Sequence, residues 1–199
     1  MSNIDELIVR IQGLEEEMQA EFDKRRGDFH FVMDKRRARF SEEVTQLQRI
    51  SKVGLFTYVT GASLLSWVVA PVIYSGVVVF LLLDLFLLIY QAVCFPVYHI
   101  TKASRSDYLV FDRGDLPYLN AIEKLNCLYC GYVNGVTGYA REVAARTEQF
   151  FCPIKHARRM KSAHGHYSNF FEYGDAESYR LGLVRLRENL AVARDEADR

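Results

Sequence analysis

The most prominent feature of the chain is an apolar stretch in its first half. Residues 53–98 contain a single charged side chain, Asp84. The hydrocarbon core of a bilayer is about 30 Å thick and is spanned by roughly 20 apolar residues in a helix. A helix that packs on the surface of a soluble domain is apolar on one face only. The stretch therefore predicts an integral membrane hairpin, because it is too long for one crossing and suits two.

The turn of this hairpin is predicted at Tyr74-Ser75-Gly76, which leaves spans of about 53–73 and 77–98. A turn at Ala70-Pro71 is the alternative, but it shortens the first span. Lysine and arginine are frequent just before the stretch and recur just after it, and such residues favour the cytoplasmic side. We therefore expect a protein of the cytoplasmic (inner) membrane with both termini in the cytosol.

Asp84 is the unusual residue of the stretch, because a carboxylate in hydrocarbon costs several kcal/mol. One interpretation is a neutral carboxyl group bonded to Thr60, Ser63 or Ser66 of the neighbouring span. The other is a proton or cation pathway that several copies of the hairpin share. The stretch offers no partner base and no second acid, which favours the structural interpretation.

Apolar stripes with alternating spacings of three and four residues mark both ends of the chain. The first stripe comprises Ile4, Leu7, Ile11, Leu14 and Met18, and the second comprises Tyr179, Leu183, Leu186 and Leu190. This spacing is typical of coiled coils. Each stripe is about two heptads long, which is marginal for an isolated helix. The stripes therefore predict partner helices, supplied by a homo-oligomer or by a larger membrane complex.

The fold class predicted by these patterns is all-α. Its predicted parts are a cytosolic helical segment at 1–52 with a break at Gly27-Asp28, the membrane hairpin at 53–99, a cytosolic Cys/His domain at 100–175 and an amphipathic helix at 176–199. Asp115 and Pro117 predict the start of a helix. Residues 116–151 fit either two helices that separate at Asn134-Gly135 or one long helix. Asp175 is the predicted N-cap of the last helix.

Four residues form the strongest candidate metal site: Cys127, Cys130, Cys152 and His156. Residues three or four apart share a helix face, so each pair of ligands converges. Two antiparallel helices joined near Asn134 would bring the two pairs together, with Cys152 and His156 at the start of a further helix that begins at Pro153. Three thiolates and an imidazole are a standard tetrahedral zinc set. Iron or an iron–sulfur cluster, a redox-active Cys127/Cys130 dithiol and cysteines without a ligand are the alternatives.

A weaker metal hypothesis uses carboxylates and further histidines. Its members are Glu123, Glu142, Glu148, His156, His164 and His166. Di-iron helical bundles normally carry Glu-x-x-His pairs on two helices, and this sequence has none. The carboxylate site is therefore the second choice after the cysteine site.

The charge balance and the absence of known motifs argue against several classes of function, but they do not identify an activity. Lys plus Arg and Asp plus Glu both number 25, which argues against a nucleic-acid binder that acts through bulk charge. No phosphate-binding glycine loop, nucleophile elbow or HExxH motif occurs. We expect a non-enzymatic membrane scaffold or accessory subunit that contacts lipid and oligomerises. The alternatives are an ion or proton channel subunit that uses Asp84 and a membrane-bound iron or thiol redox protein.

Overall fold

The computed structural model describes residues 10–24 except 12, 15 and 23, then 31–34, 37–158 and 164–197. Side chains are described for all of these except 31–34, 37–39 and 194–197. The described residues are mostly helical, as the sequence predicts. The chain divides into two compact units, one made of Met1–Ala62 and Asp112–Cys127 and the other of Ser63–Phe111 and Leu128–Arg199.

The first unit departs from the predicted helix at residues 31–34 and 37–40. Two short antiparallel strands lie there, β1 (Phe31–Asp34) and β2 (Arg37–Phe40). Aromatic and β-branched residues favour strands, and the polar–apolar alternation of 37–40 has the period of a strand. Helix α1 (Glu42–Ile50) follows, with Ser41 as its N-cap. The predicted helix is therefore wrong for 31–34 and 37–40 and correct for Glu42–Ile50.

The N-terminal stripe lies only partly within the described residues. Ile4 and Leu7 are outside them. The described residues from 10 to 24 are helical, and Ile11, Leu14 and Met18 are each more than half exposed.

The apolar stretch folds as two helices of very different lengths. Helix α2 (Leu55–Gly61) is short, and α3 (Leu64–Val97) runs for 34 residues. They separate at Ser63, whose hydroxyl accepts a hydrogen bond from the Ser66 amide at 3.2 Å and caps α3. Among the described residues, α3 is the one helix long and apolar enough to cross a membrane. The predicted hairpin is wrong, because α3 continues through both candidate turns.

Gly76 explains why the turn prediction failed. A methyl group at this position would lie 2.9 Å from the hydroxyl of Tyr129, which donates a hydrogen bond to the carbonyl oxygen of Ile73 at 2.6 Å. Ser75 bonds to the carbonyl of Val72 within its own helix at 2.7 Å. The small residues that resemble a turn therefore lie within the helix and leave room for the Tyr129 side chain to pack against it.

The second long helix, α4 (Ala121–Phe151), is continuous through Asn134 and Gly135. It begins at Asn120, whose side chain caps the amides of Ile122 and Glu123, and not at the predicted Asp115. Of the two predicted alternatives, the single long helix is confirmed. The Asn134 side chain donates to the carbonyl of Cys130 at 2.9 Å, so this residue does not interrupt the helix.

Helix α4 runs parallel to α3 within the second unit. Contacts pair Tyr129 with Ile73, Tyr139 with Gln91 and Phe150 with Tyr98, so positions rise together in both helices. Between them the chain returns through residues 100–111. The buried part of this return segment includes Ile100, Ala103 and Leu109. The segment closes the hydrophobic core that Leu87 and Phe95 of α3 form with Tyr139 and Val143 of α4.

The chain after α4 packs back on the same unit. The helix predicted to begin at Pro153 is not formed. Instead, Ile154 pairs with Phe171 in an isolated bridge. A short 3-10 helix spans Gly165–Asn169, and α5 (Ala176–Ala197) ends the described chain. Asp175 caps α5 by accepting the Ser178 amide at 2.9 Å, which confirms its predicted role.

The C-terminal stripe lies largely against its own chain. All four of its residues are partly buried, and the Tyr179 ring packs edge-on against Phe171. Leu190 lines a small cavity together with Ile100 and Gln149. The fold itself thus covers part of this stripe, and the partner helix for it stays a prediction.

Candidate functional site

Helix α3 buries its most polar side chains, those of Asp84 and Gln91, and exposes most of its apolar ones. Its buried residues are Asp84, Leu87, Gln91 and Phe95, spaced as one stripe along the helix. Around this stripe, leucine, valine, isoleucine and phenylalanine side chains point outward, and Leu64 is 86% exposed. A helix of a soluble protein normally shows the reverse arrangement.

Asp84 is paired with a base that the apolar stretch does not contain. Its carboxylate accepts hydrogen bonds from Arg105 Nε at 2.9 Å and Nη2 at 2.6 Å, and from the Tyr132 hydroxyl at 3.0 Å. A two-point guanidinium–carboxylate contact fixes both partners in orientation. The predicted partners Thr60, Ser63 and Ser66 are wrong. Ser63 and Ser66 bond to each other at 2.8 Å.

The protonation states of Arg105 and Tyr132 are the ones that their hydrogen bonds to Asp84 require. The hydrogen bond to Asp84 raises the pKa of Arg105, and this outweighs the effect of burial. Burial raises the pKa of Tyr132, and the hydrogen bond to Asp84 raises it further, so the phenol stays protonated as a donor. The arrangement fits a buried structural clamp that joins α3, α4 and the return segment.

Gln91 forms a second clamp two turns further along the same face. Its Oε1 accepts the amide of Ala103 at 2.7 Å, while its Nε2 donates to the hydroxyl of Tyr139. Buried polar groups are normally paired in this way. The return segment is therefore held to α3 at Ala103 and Arg105, and α4 is held to α3 at Tyr132 and Tyr139.

The predicted zinc ligands are not brought together. Cys130 lies near the start of α4 and Cys152 directly after its end. At 1.5 Å per residue, a straight helix separates these positions by about 33 Å. Cys130 and Cys152 are exposed, and Cys127 and Cys94 are partly buried; all four thiols are free. Within one chain, Cys127, Cys130, Cys152 and His156 thus do not fit a single tetrahedral site.

The second set of predicted ligands does form contacts, as carboxylate–histidine pairs. Nε2 of His164 lies 3.1 Å from Glu148 Oε2, and Nε2 of His156 lies 4.0 Å from Glu148 Oε1. Nε2 of His166 lies 3.1 Å from Glu142, which also accepts Arg146 Nε at 2.7 Å.

These pairs attach the 3-10 helix Gly165–Asn169 to α4. Glu123 is not part of the group: its carboxylate accepts the amide of Asn120 at the start of α4 at 2.8 Å. Among the described residues, no group of three or more His, Cys, Asp or Glu side chains is arranged to hold a metal ion.

Sequence reasoning missed Arg105, Tyr132, Gln91 and Tyr139. A signal for Arg105 was present, because a lone acid in an apolar stretch needs a base and Arg105 follows soon after the stretch. No comparable signal existed for the tyrosines, whose roles depend on how α4 packs. Comparison with family models, curated proteins and solved structures finds no match to this chain.

Proposed function

We propose that this chain is an integral membrane scaffold or accessory subunit, anchored through α3, that holds a helical assembly at the membrane. The observation that carries the proposal is the arrangement of α3, whose acid and amide are turned inward and whose apolar side chains are turned outward. Ionisable residues within membrane helices face the protein interior and pair there. Soluble monomers rarely expose apolar surface on this scale.

The two buried clamps support a structural role over a conduction role. The Asp84 carboxylate is occupied by Arg105 and Tyr132, so it is a poor lining group for a proton or cation pathway. The exposed stripe at Ile11, Leu14 and Met18 supports a partner helix. A scaffold or accessory subunit combines these features: an anchor, a rigid body beside it and a helix with an uncovered apolar face.

The first test is membrane retention of the full chain with matched variants. We expect wild type to remain in membranes washed with alkaline carbonate and to require detergent for extraction. Val72→Arg with Val79→Arg places two charges on the outward face of α3, at about 2.5–3.5 kcal/mol each near a helix centre. Val184→Arg with Val192→Arg is the control on α5, at similar exposure.

The α3 double variant should leave the membrane fraction, and the control should stay in it. If wild type is instead monodisperse in buffer without detergent, the membrane proposal fails.

Sidedness is the second test. One crossing by α3 places its two ends on opposite faces of the membrane, whereas a hairpin returns to the same face. In a chain without native cysteines, Ser51→Cys, just before the apolar stretch, and Ser178→Cys are then labelled in sealed vesicles with an impermeant maleimide. We expect only one of the two to react until the vesicles are opened. Equal reaction of both in intact vesicles would contradict a single crossing.

A further inference from the structure

An apolar groove runs along one side of the α3–α4 pair. Phe86, Leu87 and Tyr90 of α3 form one wall, and Ala140, Ala144 and Phe151 of α4 form the other, around a cavity of about 450 Å³. Ala140 and Ala144 are one helical turn apart. Their small side chains leave open the space between the helices that larger residues would fill.

The groove offers an occupant almost nothing to hydrogen-bond. The hydroxyl groups of Tyr90 and Thr147 lie 3.2 Å apart and pair with each other, and Thr147 also donates to the carbonyl of Val143 at 2.8 Å. A polar occupant would lose its hydrogen bonds to water and find no replacement for them in the groove. The groove therefore suits a hydrocarbon occupant.

The polar end of the groove lies toward the C-terminal end of α3. Glu148 lines it there, and its carboxylate contacts His164 at 3.1 Å. The opposite direction leads along Phe86 toward the fully apolar N-terminal half of α3. An amphiphile with its polar group near Glu148 would thus extend its tail toward the N-terminal half of α3.

The apolar surface of the groove continues onto the outward face of α3. Leu82, Ile89 and Val93 lie three to seven residues from Phe86 and are each more than half exposed. If α3 is a membrane anchor, lipid chains already cover this surface, so an acyl chain reaches the groove without crossing water. This continuity selects a lipid tail over a helix from a second copy.

We infer that the groove between α3 and α4 binds one acyl chain of a membrane phospholipid, with the headgroup at the Glu148 end. The inference rests on the proposed membrane anchoring and adds a lipid to it as a bound component. Bound in this position, the lipid fills the space left by Ala140 and Ala144 and becomes part of the helix–helix contact.

Native mass spectrometry of the full chain tests this inference. The chain is reconstituted into vesicles of oleoyl phosphatidylcholine, extracted with a mild detergent and compared with two variants. Ala144→Trp fills the groove. Ala92→Trp is the control, because Ala92 is exposed on α3 and does not line the groove. We expect one phosphatidylcholine per chain in wild type and control, and at least a tenfold lower occupancy in Ala144→Trp.

Several outcomes would overturn the inference. These are an equal lipid load in Ala144→Trp, no retained lipid or detergent alone in wild type, and a dimer without lipid that Ala144→Trp dissociates. Circular dichroism checks that Ala144→Trp is folded, and Ala144→Leu replaces it if it is not. Carbonate washing of the same membranes is scored first, so loss of anchoring is distinguished from an anchored chain whose groove holds no lipid.

Discussion

The guanidinium of Arg105 binds the carboxylate of Asp84 through two hydrogen bonds of 2.6 and 2.9 Å, although the two residues are 21 positions apart. The Asp84 side chain is 8% exposed and that of Arg105 is 39% exposed. The pair thus lies at the boundary of the core, where the return segment meets α3. It ties an irregular stretch of chain to the longest helix.

Removal of Arg105 should destabilise the protein more than loss of the whole pair. Arg105→Met leaves a buried carboxylate without its cation, which costs about 3–5 kcal/mol in a fully buried pair. We expect about 2 kcal/mol, because Arg105 is partly exposed to solvent. Asp84→Leu combined with Arg105→Met should recover part of the loss. Thermal unfolding in detergent, followed by circular dichroism, measures both.

Arg185→Met is the matched control for this prediction, since Arg185 is an exposed arginine of α5. It should change stability by no more than about 0.5 kcal/mol. If Arg105→Met behaves like this control, the Asp84–Arg105 contact is not a clamp.

Gly135 should tolerate no side chain, although it lies inside a helix. A methyl group there would be 2.8 Å from the carbonyl oxygen of Tyr108, a backbone atom of the return segment. We expect Gly135→Ala to cost about 1–3 kcal/mol through overpacking, despite the roughly 1 kcal/mol by which alanine favours a helix. Gly138→Ala is the control, because its nearest neighbour is a ring carbon of Tyr108 at 3.3 Å.

The urea midpoints of the two glycine variants give the comparison. Gly138→Ala should remain close to wild type, since a side chain can shift by a few tenths of an ångström where backbone cannot. A Gly135→Ala protein as stable as wild type would show that the return segment does not pack tightly on α4.

The cysteines at the two ends of α4 should be dispensable for folding. Cys130 and Cys152 are exposed and far apart, so Cys130→Ser and Cys152→Ser should each change stability by less than about 0.5 kcal/mol. A structural zinc site would behave differently, because its binding energy is folding energy. Unfolding by either substitution or by a chelator, together with about one zinc per chain, would restore the zinc hypothesis.

Stability should depend on pH through Glu142. Burial raises the pKa of this carboxyl, but hydrogen bonds from Arg146 and His166 outweigh burial and leave the pKa below its ordinary value. A lowered folded-state pKa stabilises the fold above the unfolded-state value, and the stabilisation is lost as pH falls through the folded-state value. Glu142→Gln should therefore cost about 1–2 kcal/mol at pH 7 and progressively less under acid.

Unfolding midpoints at pH 7 and pH 4 measure this difference. Glu188→Gln, an exposed position on α5, serves as the control and should change stability by no more than about 0.5 kcal/mol. An equal cost of Glu142→Gln at both pH values would exclude ionised Glu142 as the source.

The sequence alone predicted the structure correctly where that structure depends on residues close together in the chain. The apolar stretch predicts a helix that can cross a membrane, and Asp175 predicts the start of α5, because period and capping are local properties. The predicted turn at Gly76 failed because the reason for that glycine is Tyr129, far along the chain. The predicted partners of Asp84 failed for the same reason, since the hairpin placed serines where the fold places Arg105.

The positions of the predicted zinc ligands show a second kind of limit. The spacing of cysteine and histidine places each pair of ligands on one face, but the two pairs can meet only if the helix between them ends. Asn134 and Gly135 are common at helix ends, but here the Asn134 side chain bonds within the helix and Gly135 makes room for the return segment. Gly135 thus serves tertiary packing, whereas Asn134 bonds within its own helix.

The parallel direction of α3 and α4 has a consequence for how the protein is assembled. Two consecutive antiparallel helices can pack against each other directly, because a short loop is enough to connect them. Here the backbone between them lies against both helices, since residues 100–111 contact each one. We expect a circular permutant that makes α4 before this stretch to assemble less readily, because it has to insert that backbone between two helices that can already pack on each other.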